Sequence, residues 1–335
     1  MLSRSLLKIT LVLITIAGST FAETTAPNKL PKPQFQGDYF GEMARSFCTI
    51  REVDVKGHTL LVVRDKDAKE VRIPIKEDTE LHFRDSWGEL ENYFPGQHVM
   101  LFMYVDEDRN WTYPRAIQDD IQVAALHGWY AAVTAIDPEK HLYSTHRQEK
   151  DKEGKVTKEI DKEFTFDPAV KVWKSAAPGA IDSLKIGDEV IQQLVEKDGK
   201  LVAVEIFDRA GDAAVRAAQE AQHVRDQDRL GLPAYVTDVE VISGSLILSI
   251  AWSGSQRATA LKPGETVAIV PADGRAFAGA IFAMEKVDTR QRLRLAINAR
   301  AASRLSVGES LCVFMPGTGP KIPTGKSGVP ATAYK

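Results

Sequence analysis

The sequence predicts a mainly β protein made of tandem small β-barrels, with one α-helix connecting two of them. Short segments of alternating apolar and polar residues recur along most of the chain, as in half-buried β-strands. A glycine turn that leads into such a segment occurs four times, which indicates a repeated architecture. With 335 residues, the chain is long enough for two or three domains that each bury a core.

The repeated turn begins with an apolar residue and reaches its glycine three positions later. Pro, Ile or Val precedes the glycine, and Val or Leu follows it by three positions. The four glycines are Gly96, Gly187, Gly264 and Gly308. Because glycine adopts positive φ without steric cost, the pattern predicts a tight turn that feeds a strand.

The first unit, residues 47–127, predicts an OB-like barrel. A hairpin is expected from segments 48–55 and 59–64, followed by an edge strand that contains Pro74. The spacing of Ser86 and Glu89 is that of a capping box and predicts a short helix that begins there. Two more strands then complete the order of an OB-type barrel.

The second unit, residues 128–208, repeats this plan as a second OB-like barrel. Its longer strands meet at a charged turn, residues 151–154, which predicts a solvated hairpin tip. The third unit, residues 233–314, has two glycine turns only 44 residues apart. It is therefore expected to be a compact SH3-like barrel or a double half-barrel of six or seven short strands.

Between the second and third units, segment 209–232 is the predicted connector, with a helix that runs from Ala213 to about Leu230. Asp212 is expected to cap it, and Gly231 to end it. Its apolar face consists mostly of alanines, so it predicts a helix that lies closely on a barrel.

The two ends of the chain predict export and disorder. Residues 1–22 have the pattern of a signal peptide, with Arg4 and Lys8 before an apolar run and small residues before the cleavage site. A linker, 23–46, follows, and the Pro-rich and Gly-rich tail, 315–335, is expected to be disordered. Loss of both basic residues changes the net charge from -3 to -5. No later stretch has transmembrane length, so we expect a periplasmic or secreted protein.

Export places both cysteines, Cys48 and Cys312, in a compartment where disulfides form. A bridge between them would close a very long loop. The alternative is two separate cysteines buried in strands as small apolar residues. The sequence favours this alternative, because nothing in it places the two ends of the folded region together.

The turn motif and the strand order resemble those of exported bacterial proteins built from small OB-like or SH3-like β-barrel repeats. Many proteins of this kind have no known function. The resemblance covers residues 47–313 and implies the fold; it implies no particular activity.

The sequence contains no recognisable catalytic, cofactor or metal motif. The seven histidines are scattered, and Gly325-Lys326-Ser327 lacks the context of a phosphate loop. The acidic stretch 106–110 lacks the glycine and glutamate that a calcium loop requires. The acidic net charge disfavours nucleic acid as a partner. We therefore expect neither an enzyme nor a bound cofactor.

Aromatic residues are the remaining candidates for a ligand surface. OB-type barrels bind oligosaccharides on one face, where exposed rings stack on the sugars. The candidates are Trp87, Trp111, Tyr113 and Trp173. Alternation with Val170 and Val172 predicts that Trp173 points outward. The alternative is that these rings fill barrel ends or domain junctions.

Together these observations predict an exported, non-catalytic binding or scaffolding protein of the bacterial envelope that engages protein partners. The first alternative is a carbohydrate-binding protein with exposed tryptophans on an OB-like face. The second is a hydrolase, which would need carboxylates assembled in a cleft between barrels.

Overall fold

A computed structural model describes residues 43–175, 177–287 and 290–322. The described chain is mainly β, with 53% of residues in strands, 17% in four helices, and three sheets. The predicted signal peptide, most of the linker and the tail beyond residue 322 lie outside the described residues. No helix in the described ranges is long and apolar enough to span a membrane.

The first sheet has seven strands. They are β1 (Ala44–Asp54), β2 (Thr59–Arg64), β3 (Glu70–Pro74), β4 (Glu80–Phe83), β5 (Ser86–Trp87), β6 (His98–Val105) and β7 (Trp111–Asp119). Their order is β3-β2-β1-β6-β7-β4-β5, and only β4 and β7 pair in parallel. The edge position predicted from Pro74 is confirmed, because β3 ends the sheet.

The helix predicted to begin at Ser86 is wrong in its position. Ser86 instead pairs with Phe83 in the β4–β5 hairpin. One turn of 3₁₀ helix, Leu90–Asn92, follows, and the backbone N–H of Glu89 donates to Asn92 Oδ1 at 2.7 Å. The strand pairing of Ser86 therefore takes precedence over its capping propensity.

The second sheet follows the short helix α1 (Asp120–Leu126) and has six strands. They are β8 (Ala131–Asp137), β9 (Leu142–Lys150), β10 (Val156–Lys174), β11 (Ala177–Gly179), β12 (Glu189–Lys197) and β13 (Lys200–Asp208). Their order is β11-β10-β13-β12-β8-β9, with a further pairing between β10 and β9. The charged turn at 151–154 is the exposed tip of the β9–β10 hairpin, as predicted.

Helix α2 (Arg209–Leu230) links the second and third sheets, and it begins earlier than predicted. Asp208, rather than Asp212, caps it, since the Asp208 side chain accepts from Gly211 N at 2.6 Å. Asp212 lies in the first turn of the helix, where its buried carboxylate accepts a hydrogen bond from Tyr130 Oη at 2.6 Å. Gly231 ends the helix as predicted, with φ of 86°.

The third sheet contains two equivalent halves. The first half is β14 (Leu232–Glu240), β15 (Ser245–Ile250), helix α3 (Trp252–Ala258) and β16 (Thr266–Pro271). The second half is β17 (Phe277–Val287), β18 (Arg290–Ala296), helix α4 (Ala299–Ala302) and β19 (Ser310–Phe314). The ladder β14-β15-β18-β17-β16-β19 closes on itself, because β19 pairs with both β14 and β16. Each pairing in one half has its counterpart in the other.

The four glycine turns share one hydrogen-bonding pattern. Each glycine has φ between 85° and 91° and lies two residues before the first residue of a strand. Each glycine donates its N–H, at 2.7–2.8 Å, to the carbonyl of a buried residue in β1, β8, β14 or β17. At that residue the pairing register of the strand shifts, as at a β-bulge. These buried acceptors are Ile50, Val133, Val236 and Ile281. The repeat therefore joins a bulged strand to the strand after the turn, and each sheet keeps its own apolar core.

Candidate binding cleft and module junctions

The first and third sheets meet at an aromatic contact. Trp252, at the start of α3, lies with its ring centroid 4.0 Å from that of Trp87 and 4.8 Å from that of His82. Trp252 is only 7% exposed. Trp87, a candidate for ligand stacking, is therefore part of this junction, where its ring contributes to packing between sheets.

Two further candidates lie on β7. The Trp111 ring packs against the core of the first sheet and has the guanidinium of Arg64 5.0 Å from its centroid. The Tyr113 ring lies 4.8 Å from that of Tyr104, and its hydroxyl donates to Asp78 Oδ2 at 3.3 Å. Tyr113 is the only one of the four candidates that lines the cleft described below.

Trp173 points to the opposite side of its strand from Val170 and Val172, as the alternation predicts, but the ring is not exposed because helix α2 packs on that side. Trp173 is half-buried, packs against the small cluster around Phe207, and donates from Nε1 to Glu205 Oε1 at 3.2 Å. A Cβ at Gly211 of α2 would come 2.0 Å from the Trp173 carbonyl oxygen, so the helix lies directly on the strand. Alternation along a strand predicts a face but not what packs on it.

We expect Trp173→Ala to destabilise the protein by about 2 kcal/mol, since it removes a packed ring beneath α2. Urea unfolding measures the loss, and Trp173→Phe, which keeps an aromatic ring there, should recover most of it. An unchanged unfolding midpoint would show that the ring does not contribute to packing between α2 and β10. Trp173 would then again be a candidate for ligand stacking.

The two cysteines lie in different sheets as free thiols. Cys48 is buried in the first core, where burial raises the pKa of its thiol to about 12. Cys312 lies on β19 of the third sheet, and burial raises the pKa of this thiol as well. The structure thus places them as separate cysteines in strands.

The first and second sheets are joined by a buried histidine between two carboxylates. His98 Nδ1 lies 2.7 Å from Asp120 Oδ1, and His98 Nε2 lies 3.0 Å from Asp65 Oδ2. Burial opposes the charged imidazolium, but Asp120 and Asp65 raise the pKa of His98 to about 10. Asp120 Oδ2 also accepts from the backbone N–H of Leu194 in the second sheet at 2.9 Å. The cluster therefore connects the two sheets through a cation.

Further contacts close the same junction. The backbone N–H of Glu196 donates to Gly96 O at 2.7 Å, so a glycine turn of the first sheet pairs with β12. Arg51 pairs with Glu196 at 2.8 Å, and Arg84 pairs with Glu205 through both carboxylate oxygens at 2.9–3.0 Å. The Arg51–Glu196 pair is fork-shaped, with Nη1 on Oε1 and Nη2 on Oε2, and such a pair defines orientation as well as contact.

Helix α2 completes the junction between the first and third sheets with buried polar groups. Ser253 Oγ of α3 donates to Glu89 Oε2 at 3.0 Å, while Gln227 Nε2 of α2 donates to Ser253 O at 3.0 Å. His223 Nδ1 lies 3.6 Å from Glu89 Oε1. Burial raises the pKa of Glu89 to about 8 and lowers the pKa of His223, so both groups are held toward their neutral forms.

A cleft of about 520 Å³ opens beside this junction, between the first and third sheets. Its size is within the range of small-molecule sites. Its polar and aromatic lining is contributed by both sheets: His58, Lys76, Glu77, Asp78 and Tyr113 from the first, Tyr235, Arg290 and Ser310 from the third. Sequence reasoning identified Tyr113 alone, because the other residues come together only when the sheets dock.

The charged groups of the cleft are largely paired with one another. Arg290 Nη1 donates to Glu77 Oε1 at 2.8 Å, and the Glu77 carbonyl accepts from Trp252 N at 3.1 Å. Burial raises the pKa values of Tyr113 and Tyr235 well above the usual phenol range, so both hydroxyls stay protonated. The cleft thus presents two neutral phenols and two hydrogen-bonded carboxylates, Glu77 beside Arg290 and Asp78 beside Tyr113. Such a lining suits a polar ligand that binds through hydrogen bonds and ring contacts.

All five tryptophans lie in the described ranges, and each of them is buried or half-buried. Within those ranges, no group of three or more His, Cys, Asp or Glu side chains is arranged to hold a metal ion. Comparison with protein-family models and with curated proteins finds no match for this chain. The site is therefore interpreted from its own geometry.

Proposed function

We propose that this chain is an exported, non-catalytic scaffolding protein of the bacterial envelope, periplasmic or secreted, that binds a protein partner. The observation that carries the proposal is the joining of three β modules by buried contacts. Trp252 with Trp87, His98 with its two aspartates, and helix α2 hold the modules in one arrangement. A scaffold needs such defined relative placement, whereas modules that bind independently do not.

The architecture supports OB-like barrels for the first two modules. In the second sheet, the extra β10–β9 pairing links five strands into a ring with one parallel pair, β10 with β13. The first sheet has the same order, with β4 taking the parallel position beside β7. The equivalence of its two halves favours a double half-barrel for the third module over an SH3-like barrel.

The cleft between the first and third sheets is the proposed contact surface for the partner. The test is capture from crosslinked envelope extract by the mature chain, residues 23–335, with analysis of both protein and sugar. Recovery of a stoichiometric protein is the expected result. Removal of both cleft hydroxyls, by Tyr113→Phe with Tyr235→Phe, should weaken capture at least threefold, while Tyr104→Phe, outside the cleft lining, should not. Equal capture by all variants would exclude the cleft.

Carbohydrate binding is the second candidate, and the two tyrosine rings at the cleft favour it. In this version Tyr113 and Tyr235 replace the tryptophans as stacking platforms, since both tyrosines line the cleft and no tryptophan does. Glycan recovered without protein in the same capture experiment would support this candidate and would overturn the scaffold proposal.

A further inference from the structure

A second cleft, of about 550 Å³, lies at one rim of the third sheet and is lined by three arginines. Arg275 precedes β17, while Arg300 and Arg304 lie in α4 and directly after it. All three arginines are exposed. The rest of the lining consists of Ala276, Asn298 and the buried residues Phe277 and Ala301. The cleft therefore combines an apolar base with a cationic rim.

These guanidinium groups are only weakly paired with carboxylates of the described chain. Asp273 Oδ2 lies 3.6 Å from Arg304 Nη1 and 3.9 Å from Arg275 Nε, both longer than a good hydrogen bond. Arg300 makes no ion pair with the described part of the chain. Planar guanidinium donors that are not committed elsewhere match the two oxygens of a carboxylate.

The internal symmetry of the third module shows what the equivalent position holds in its first half. The strand starts Leu232 and Phe277 correspond, and so do Ala251 and Asn298, which are the N-caps of α3 and α4. Counted from these caps, Ser253 is equivalent to Arg300 and Arg257 to Arg304. At the first position the end of α2 fills the groove, with His223 and Gln227 bonded to the Ser253 carbonyl. Asp228 of α2 pairs there with Arg257 of α3. The first groove thus holds a segment that delivers a carboxylate to an arginine.

The charge of the third module agrees with an acidic occupant. Residues 232–322 carry ten Lys and Arg against seven Asp and Glu, whereas the whole chain has a formal charge of -3. The module is therefore the basic part of an acidic protein, and the arginine cleft is on it. Attraction of an acidic segment to this part of the surface follows from the charge distribution.

We propose that the cleft of Arg275, Arg300 and Arg304 binds an acidic peptide segment of a partner protein, in the position that α2 occupies in the other half. The identity of the partner as a protein rests on the proposed function above. The carboxylates of the segment would lie on the arginines, and its apolar atoms on Phe277.

The test uses the mature chain and a fluorescent oligoglutamate peptide, with binding followed by anisotropy. The variant Arg275→Gln/Arg300→Gln/Arg304→Gln should bind the peptide at least tenfold more weakly than the parent. The matched control, Lys150→Gln/Lys152→Gln/Lys155→Gln at the exposed β9–β10 hairpin tip, removes the same charge and should bind within twofold of the parent. Equal losses of peptide affinity in both variants would show that net charge alone causes the binding, and the proposed site would then be wrong.

Competition then distinguishes the chemical source of the anion. Inorganic phosphate and polygalacturonate are added separately to the peptide complex. If polygalacturonate displaces the labelled peptide at a lower carboxylate concentration than unlabelled peptide does, the cleft binds an acidic glycan and the peptide proposal is wrong. If inorganic phosphate displaces it at a concentration comparable to that of unlabelled peptide, the cleft binds small anions and the peptide proposal is again wrong.

The same variants separate this inference from the proposed function. If envelope capture recovers a protein equally well with the parent and the arginine variant, and oligoglutamate does not bind, the acidic-segment inference is wrong while the scaffold remains supported. If oligoglutamate binds and the arginine variant weakens it, but no protein is captured from extract, the scaffold proposal fails and the cleft stands as a peptide-binding site.

Discussion

Substitution of His98 by alanine is expected to destabilise the chain by about 3 kcal/mol, because it leaves the buried Asp120 carboxylate without its cation. The His98 side chain is 7% exposed and that of Asp120 is 11% exposed, so water replaces little of the lost interaction. The effect should extend to the second sheet, because Asp120 also accepts from Leu194 N. Urea unfolding at several pH values measures the difference.

The expected pH dependence follows from the raised pKa of His98. The folded pKa of about 10 exceeds the ordinary value of 6.5, so the folded state holds an extra proton between these values. The stabilisation from His98 is therefore complete below pH 6.5 and is lost as the pH rises toward about 10. The difference between parent and His98→Ala should narrow over this interval.

His146→Ala is the matched control for that prediction. His146 also pairs with an aspartate, Asp161, at 2.9 Å, but the aspartate side chain is 81% exposed. Exposed pairs contribute at most about 1 kcal/mol, so this variant should change stability only slightly. If the two histidine variants lost equal stability, the cationic role of His98 between the sheets would be wrong.

Trp252→Ala should have an effect of similar size, about 3–4 kcal/mol, by removing a buried ring from the junction of the first and third sheets. The Trp87 and His82 rings would lose this aromatic partner, and the junction where α2 bonds to Ser253 of α3 would open. Denaturant unfolding measures the loss of stability. Limited trypsin digestion measures the opening of the junction, because the exposed arginines of α2 are cleaved only where the helix unfolds locally.

Trp252→Phe provides the comparison, since it keeps an aromatic ring against Trp87. We expect this variant to recover at least half of the lost stability and to keep α2 resistant to trypsin. A stable Trp252→Ala variant with unchanged digestion would show that the polar contacts of Glu89, Ser253 and Gln227 hold the junction without the ring.

Local features of the chain were predictable because they depend on a few neighbouring residues. The glycine turns follow from the positive φ that glycine permits, and the edge position of β3 follows from the missing N–H of Pro74. The tip at residues 151–154 follows from its dense charge. The helix start was predicted four residues too late, because Asp208 and Asp212 are both suitable caps and only the contact with Tyr130 separates them.

The sequence by itself determined a mainly β chain, its four glycine turns and the approximate extent of its connecting helix. Only the tertiary structure decided where the aromatic rings lie, which carboxylates meet which arginines, and where clefts open. Trp173 alternates correctly along its strand, yet α2 covers it, and the cleft of Tyr113 needs Tyr235 from more than a hundred residues away. The physical reason is range: backbone conformation and alternation are local, whereas burial, ion pairing and cavity shape arise from contacts between modules.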